Sequence, residues 1–430
     1  MARPARPLSL FDSSMASGGL ERVTGTPTVI SAAIYFAKLP AREVLEGIVR
    51  DQLMSFDTLA SRPEDGHCCE RTAWRPTAFE LARHLLFHEV AGEADLTFFI
   101  ENNTNEPIAA KDEGPWWEMH AVTTREATRE MLFFRIEHAC ADGIALLQIL
   151  TRLATTPSGG GLPSVDYQRP PVAQPSCLAL ACDFLAKMLK YAMLPLGGFD
   201  TQLPIHQPKE ARQRGIRFSN RRRLVRVPAH PLALVKAIKE AAGAGTTVND
   251  VLYAAFAGAL RRHCLAHDAT LELDREATVR ALVPLAFPRK QSTPLTNDWT
   301  FLSVALPVEH SECTERLEAA HQLFTAVKAS TEAHAARLAV QINTLSPPAL
   351  LGAVAQQLFS RVGLAAPCHT VPHRASPFLA LARLAPPCLT VPRRASACSI
   401  RSSSRMYRGR RSRSASVGMR SSPSRHTSRI

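Results

Sequence analysis

Residues 155–175, TTPSGGGLPSVDYQRPPVAQP, are too dense in glycine and proline to hold a helix or a strand, and they split the chain into two blocks. Each block interleaves short β-branched runs with stretches of helical periodicity. That interleaving predicts a mixed α/β body in two halves. The 430 residues suffice for two ordinary domains or one large pseudo-symmetric fold, and an apolar fraction of 46% supports a sizeable core.

Residues 1–25 read as a flexible N-terminus, and 26–154 as the first block. In it TPTVISAAIYFAKLP reads as a strand and AREVLEGIVRDQL as a helix. PTAFELARHLLFHEV reads as a helix, or a helix leading into a strand. MLFFRIEH is the clearest strand and GIALLQILTRLA the clearest helix. Residues 155–205 are the break and one apolar segment, SCLALACDFLAKMLKYAMLPLGGF, which predicts a helix of about five turns at 1.5 Å per residue. Only Asp183, Lys187 and Lys190 interrupt its apolar surface. Such a helix is either buried between the halves, the preferred reading, or lies on a bilayer with its lysines at the headgroups.

The second block takes residues 206–360. RRRLVRVPA is expected to be a strand, HPLALVKAIKEAAGAG a helix ended by glycine, and TTVNDVLYAAFAGALRRHC a long helix. TVRALVPLAF and WTFLSVALPV read as strands, and CTERLEAAHQLFTAVKASTEAHAARLAVQIN as helical. Residues 361–430 repeat PCHTVPHRAS as PCLTVPRRAS and end in a Ser/Arg-rich run, a composition that predicts disorder.

The charge is unevenly placed. From Arg361 onward there are fourteen Arg and no Lys, Asp or Glu; subtracting them from the chain's +13 leaves −1 for residues 1–360. A neutral body with a basic tail argues against a nucleic-acid-binding body. No run of eighteen uncharged apolar residues predicts a membrane span, and the N-terminus lacks the apolar core of a signal peptide. Ten scattered cysteines without a CxxC pair read as reduced thiols in an intracellular setting, and no metal site is expected.

The chemistry centres on FFRIEHACADGIALLQIL. Strand alternation puts Leu132, Phe134, Ile136 and His138 on one face and Arg135 and Glu137 on the other, where Glu137 pairs with or lies near Arg135. An imidazole closing an apolar face is desolvated, which favours the neutral, proton-accepting form. Asp142 is placed to cap the next helix, and Gly143 to let the chain turn. On this pattern alone a structural histidine is the commoner reading. Thr247 and Asp250 read as a helix-start box, Trp116 and Trp117 as core aromatics, and Asn297 as a turn cap or a substrate contact.

EHACADG resembles the HHxxxDG motif of the CoA-dependent acyltransferase superfamily. More particularly, the chain resembles the bifunctional wax ester synthase/diacylglycerol acyltransferase family. GPWWEMHAV (114–122) is similar to that family's PLWE strand, and TVNDVLYAAFAGALRR (247–262) to its TVND helix. VPLAF and LTNDWTFLSVALPV (283–308) are similar to its later strand pair, with Asn297 at the family's Asn. The resemblance covers roughly residues 25–360. Glu137 stands in place of the first motif His and Trp116 in place of the usual Leu. The family's closing segment has no counterpart, its place being taken by the Pro/Arg repeat.

The resemblance implies two chloramphenicol-acetyltransferase-like lobes with mixed sheets, pseudo-symmetric, with a tunnel between them. It implies His138 as general base and Asp142 as its motif companion, with Glu137 and Gly143 as structural motif positions. Asn297, Asn249 and Trp117 become candidate substrate contacts. The implied reaction moves a long-chain acyl group from acyl-CoA, a co-substrate, to a fatty alcohol or diacylglycerol, with no cofactor. No GxSxG elbow or evident nucleophilic cysteine argues for an acyl-enzyme. Long-chain substrates place the protein at a membrane or lipid-droplet surface inside the cell: the endoplasmic reticulum or plasma membrane in a eukaryote. The alternative is a catalytically inactive, acyltransferase-like lipid-binding or scaffold protein.

Overall fold

The computed structural model describes residues 5–18, 21, 25–65, 72–126, 129–153, 176–206, 208, 210–211, 222–287, 294–345, 353–354, 357 and 361. The Gly/Pro break at 155–175 and the tail beyond Arg361 lie outside them.

The first block holds strands β1 (Arg6–Pro7), β2 (Val29–Phe36), β3 (Ser61–Glu64), β4 (Ala73–Pro76), β5 (Leu85–Val90), β6 (Trp117–Thr124) and β7 (Glu130–Glu137). Its helices are α1 (Leu10–Ala16), α2 (Arg42–Asp51), the single turn α3 (Leu81–His84), α4 (Glu93–Asn103) and α5 (Gly143–Leu153). Four strands form a mixed sheet in the order β2-β7-β6-β5, with only the β5–β6 pair parallel. β1, β4 and β3 form a small antiparallel sheet beside it.

Period-two alternation sorts the mixed sheet's two faces. Phe134, Ile136, Met119 and Ala121 point into the main core with Trp74, Val49 of α2 and Ile149 of α5. Met131, Phe133 and Val122 point the other way, under Leu96 and Ile100 of α4. β7 is paired on both sides along its length, so its end is a firm platform.

The N-terminal residues correct the expectation of a flexible arm. Ser9 caps α1 by accepting from the Asp12 N–H at 3.0 Å, and Leu8 and Phe11 are buried. A Ser-x-x-Asp helix start lies in the sequence there, but the short apolar run after it hid the signal.

The second block contains α6 (Cys177–Met193), α7 (Leu232–Ala242), α8 (Val248–His267), β8 (Arg280–Ala286), β9 (Trp299–Ala305), α9 (Cys313–Ala329) and α10 (Glu332–Thr344). β8 and β9 pair antiparallel, and α8, α9 and α10 pack with them around Tyr253, Leu260, Leu302, Val304 and Phe324. Thr247 and Asp250 form the expected box at the start of α8. α7 ends at Gly243, whose φ of +110° is a conformation L side chains rarely adopt.

Two expectations fail. RRRLVRVPA forms no strand over its described residues 222–229. It runs instead as an arm back to the first block: Arg223 pairs with Glu101 at 3.0 Å, Leu224 N–H donates to the same carboxylate at 2.7 Å, and Arg226 donates to the Tyr35 hydroxyl at 2.6 Å. The long helical stretch after Cys313 breaks at Ser330 and Thr331 into α9 and α10.

The other concerns α6, which is not buried between the halves. Its polar side chains face inward: Asp183 accepts from Thr331 N–H and Oγ1–H at 2.8 and 2.7 Å, Lys187 and Lys190 pair with Glu332, and the Tyr191 hydroxyl donates to Glu332 at 2.9 Å. Its leucines face outward, with Leu178 75% and Leu185 68% exposed. No helix among the described residues is long and apolar enough to cross a membrane. All described residues belong to one compact unit, and none of its sheets closes into a barrel.

Candidate active site

His138 follows directly on β7. Its N–H donates to Thr28 O at 2.8 Å, just before β2, while the Glu137 N–H donates to Trp116 O at 2.9 Å, just before β6. The backbone is therefore held from both flanking strands where the sheet stops. The chain then turns through buried Ala139, Cys140 and Ala141 into α5. Asp142 caps that helix, accepting from the Ala145 N–H at 3.0 Å, and its other oxygen accepts from the Asp298 N–H at 2.9 Å. One carboxylate thus fixes both the motif loop and the segment before β9.

That segment, 295–298, brings the second block to the first. Leu295 is buried in the first block's core, and its carbonyl accepts from Thr58 Oγ1 at 3.2 Å. Asn297 is 4% exposed and lies against His138. Its Nδ2 donates to Asp12 Oδ1 at 2.8 Å, to His138 O at 2.7 Å and to Ala139 O at 3.2 Å. Those partners only accept, so the amide can take one orientation. Its Oδ1 faces His138 Nδ1 at 3.0 Å. An amide oxygen cannot donate, so Nδ1 carries a proton, and in the neutral imidazole the lone pair is then on Nε2.

The ring itself is half-buried. Trp299, at the start of β9, lies with its centroid 5.5 Å from the imidazole and meets Phe11 edge-on at 4.8 Å. These aromatics wall the imidazole and lower the local dielectric around it. Cys140, two residues along, is no rival nucleophile: it is fully enclosed, and burial pushes its thiol well above the ordinary value.

On the opposite face of the sheet, Glu137 occupies the place of the motif's first His. It pairs with Lys111 at 2.7 Å and accepts from Thr28 Oγ1 at 3.2 Å, and it lies near Arg135, whose charge it feels across space, without pairing with it. Lys111 also lies over the Trp116 ring at 4.9 Å. Arg135 pairs instead with Glu118 on β6, which accepts from His120 at 3.1 Å. Burial pushes the Glu118 carboxyl up, but the His120 hydrogen bond and the Arg135 charge outweigh it and hold it below its ordinary value.

Among the expected site residues, the structure joins His138 and Asn297 directly, and Asp142 through the backbone of residue 298. Gly143 is the first residue of α5. Trp117 is corrected: it is fully buried, donates its indole N–H to Leu59 O at 2.8 Å, and packs on Phe79, His84 and Phe134. It has no face left for a substrate. Asn249 is exposed on the first turn of α8, and no described hydrogen bond joins it to His138. Sequence reasoning missed Asp12 and Lys111. Lys111 belongs to no recognisable motif and Asp12 only to a helix-start signal, and their partners lie 26 and 285 positions away.

No family model matches the chain. A protein of Mycobacterium tuberculosis named a diacylglycerol O-acyltransferase is 25% identical over 269 residues, which are 58% of this chain and 54% of that protein. The chain spans about half the length of the curated relatives it matches first. Among solved structures, the starter condensation domain of rhizomide synthetase in complex with C8-CoA superposes with a TM-score of 0.50 at 15% identity, covering 80% of this chain and 76% of that one. A wax ester synthase/diacylglycerol acyltransferase from Marinobacter aquaeolei superposes with a TM-score of 0.49 at 19% identity, covering 79% and 77%. The condensation-domain match shows the fold: this chain has the two-lobed, mixed α/β architecture of that class.

Proposed function

We propose that this chain, a relative of the bacterial proteins named diacylglycerol O-acyltransferase, transfers a long-chain acyl group from acyl-CoA to the hydroxyl of a fatty alcohol or diacylglycerol. The observation that carries the reading is the lock on His138: Asn297 holds the proton on Nδ1 and leaves Nε2 free to act as base. The relatives' names and the C8-CoA bound by a protein of the same fold support the substrate class.

The reaction follows from that lone pair. Nε2 takes the acceptor's hydroxyl proton as the oxygen attacks the thioester carbonyl. The ring becomes an imidazolium, its Nδ1–H still bonded to the Asn297 oxygen. The tetrahedral adduct collapses, the C–S bond breaks, and the departing thiolate takes the proton from Nε2. Ester and free CoA leave, and no acyl-enzyme forms. A positioned base supplies about 10²–10⁴-fold of the acceleration. Holding two long-chain substrates together in a tunnel between the lobes supplies the remainder.

The acceptors are water-insoluble, so the protein meets them at a membrane or lipid-droplet surface inside the cell. The outward leucines of α6 support this. The other reading, an inactive lipid-binding relative, draws on Glu137, which has replaced a motif histidine and is tied to Lys111. Labelled palmitoyl-CoA with hexadecanol or diolein separates the two. Wax ester or triacylglycerol made by the purified chain supports transfer; lipid binding without product supports the inactive relative.

A further inference from the structure

We infer that Asp12 is a positioning residue for His138, acting through Asn297. The inference rests on the acyl-transfer reading above and adds a third group to it. Asp12 is fully buried on α1. In an ordinary helix-start box a carboxylate at this position would turn back to the cap residue's N–H. Here it turns away from its own helix. Oδ1 accepts from both Asn297 N–H at 2.9 Å and Asn297 Nδ2 at 2.8 Å, and Oδ2 accepts from Thr296 Oγ1 at 2.8 Å. The carboxylate therefore grips Asn297 by main chain and side chain together, and the far end of that amide holds His138 Nδ1.

The line Asp12–Asn297–His138 crosses from α1 to the segment before β9 and on to the end of β7. It does two things for a base at Nε2. It keeps Asn297 from rotating, so the proton stays on Nδ1. It also sets a fixed negative charge behind the amide dipole, where it favours the imidazolium formed as the acceptor's proton arrives. The carboxylate takes no proton in the step; the hydroxyl hydrogen moves to Nε2 and then to the departing sulfur. The other cation near Asp12 is Arg6, which donates to Thr58 Oγ1 at 3.0 Å and feels the Asp12 charge across space.

The test uses the full chain with ¹⁵N-labelled histidine, the His138 signals being identified by their loss in His138→Gln. Wild type should show the Nδ1–H form. Asp12→Ala should lose that preference, and its kcat with palmitoyl-CoA and hexadecanol should fall about 10–100-fold, the range for groups that orient a functional side chain from behind. KM for palmitoyl-CoA should stay within about twofold, because the lost interaction matters only after binding. Asp12→Asn keeps an acceptor but not the charge: it should restore the Nδ1–H form and leave a deficit of about three- to tenfold in kcat. Asp12→Ala combined with Asn297→Ala should be no slower than Asn297→Ala alone.

The inference is overturned if Asp12→Ala keeps the wild-type tautomer and kcat, or if its effect multiplies with that of Asn297→Ala. If Asp12→Ala does not fold, Asp12→Asn decides, and an unchanged kcat overturns the inference. A wild-type chain that transfers nothing sinks the acyl-transfer reading, while the tautomer comparison still tests the role of Asp12.

Discussion

Glu137 is 2% exposed and carries a charge in the wall of the core, so its stability depends on Lys111. Taking away one partner of a buried pair leaves the other without compensation. Lys111→Met should therefore lower the unfolding free energy by about 2–3 kcal/mol, less than a fully enclosed pair because the lysine is partly open to water. Urea denaturation reads this directly, and an unchanged midpoint would show that water alone satisfies Glu137. The strand-turn-helix pattern singled out His138 and Asp142, but only the resemblance made them candidates for a site. Asn297 was legible only by resemblance. Asp12 was marked by Ser9 three residues earlier, but a capping signal predicts a helix start and says nothing of what the carboxylate reaches across the fold. Alternation rightly put Glu137 near Arg135, but it cannot say which residue on a neighbouring segment pairs with the carboxylate, and that residue is Lys111.

At the scale of elements, α8 and α9 meet at Gly258. A Cβ there would lie 2.7 Å from Arg316 Nε, and that guanidinium is buried and donates to His310 O and Ser311 O at 2.8 and 2.6 Å. Gly258→Ala should cost about 1 kcal/mol net, overpacking of about 1–3 kcal/mol set against about 1 kcal/mol of improved helix propensity. In an Arg316→Ala background the same change should stabilise the protein. Thermal unfolding of the four proteins in the cycle checks the reversal, and a loss of equal size in both backgrounds would mean the clash lies elsewhere. α6 carries the second prediction. Leu185→Ser with Leu189→Ser should leave the unfolding midpoint within about 0.5 kcal/mol, as for surface sites generally. The same pair should reduce co-sedimentation with phosphatidylcholine vesicles severalfold. Retention of full vesicle binding would remove α6 from the lipid contact. The periodicity of α6 was plain in the sequence, yet a helix with one polar stripe does not state which side faces the body. In the bilayer alternative Lys187 and Lys190 lie at headgroups; in the fold both pair with Glu332, and Asp183 accepts from Thr331. The arm at 222–230 was misread for a related reason: a β-branched, arginine-alternating run becomes a strand only where its backbone joins a ladder, and here the Leu224 N–H donates to the Glu101 carboxylate instead.

Over the whole molecule, the order of strands and helices gave the two-block α/β architecture, because each block carries its own periodicities. The site was harder to see. Its histidine ends a strand of the first block, the amide bonded to that ring precedes a strand of the second, and the carboxylate behind that amide comes from the first helix. Such a convergence depends on the packing of segments far apart in the chain, and local pattern does not encode it. The most direct measurement is acyl transfer from labelled palmitoyl-CoA to hexadecanol or diolein by purified wild type and His138→Ala, with thermal unfolding of both as control. The account predicts ester product from wild type and a loss of about 10²–10⁴-fold in the variant at an unchanged unfolding midpoint. A folded His138→Ala protein that turns over as fast as wild type would contradict it.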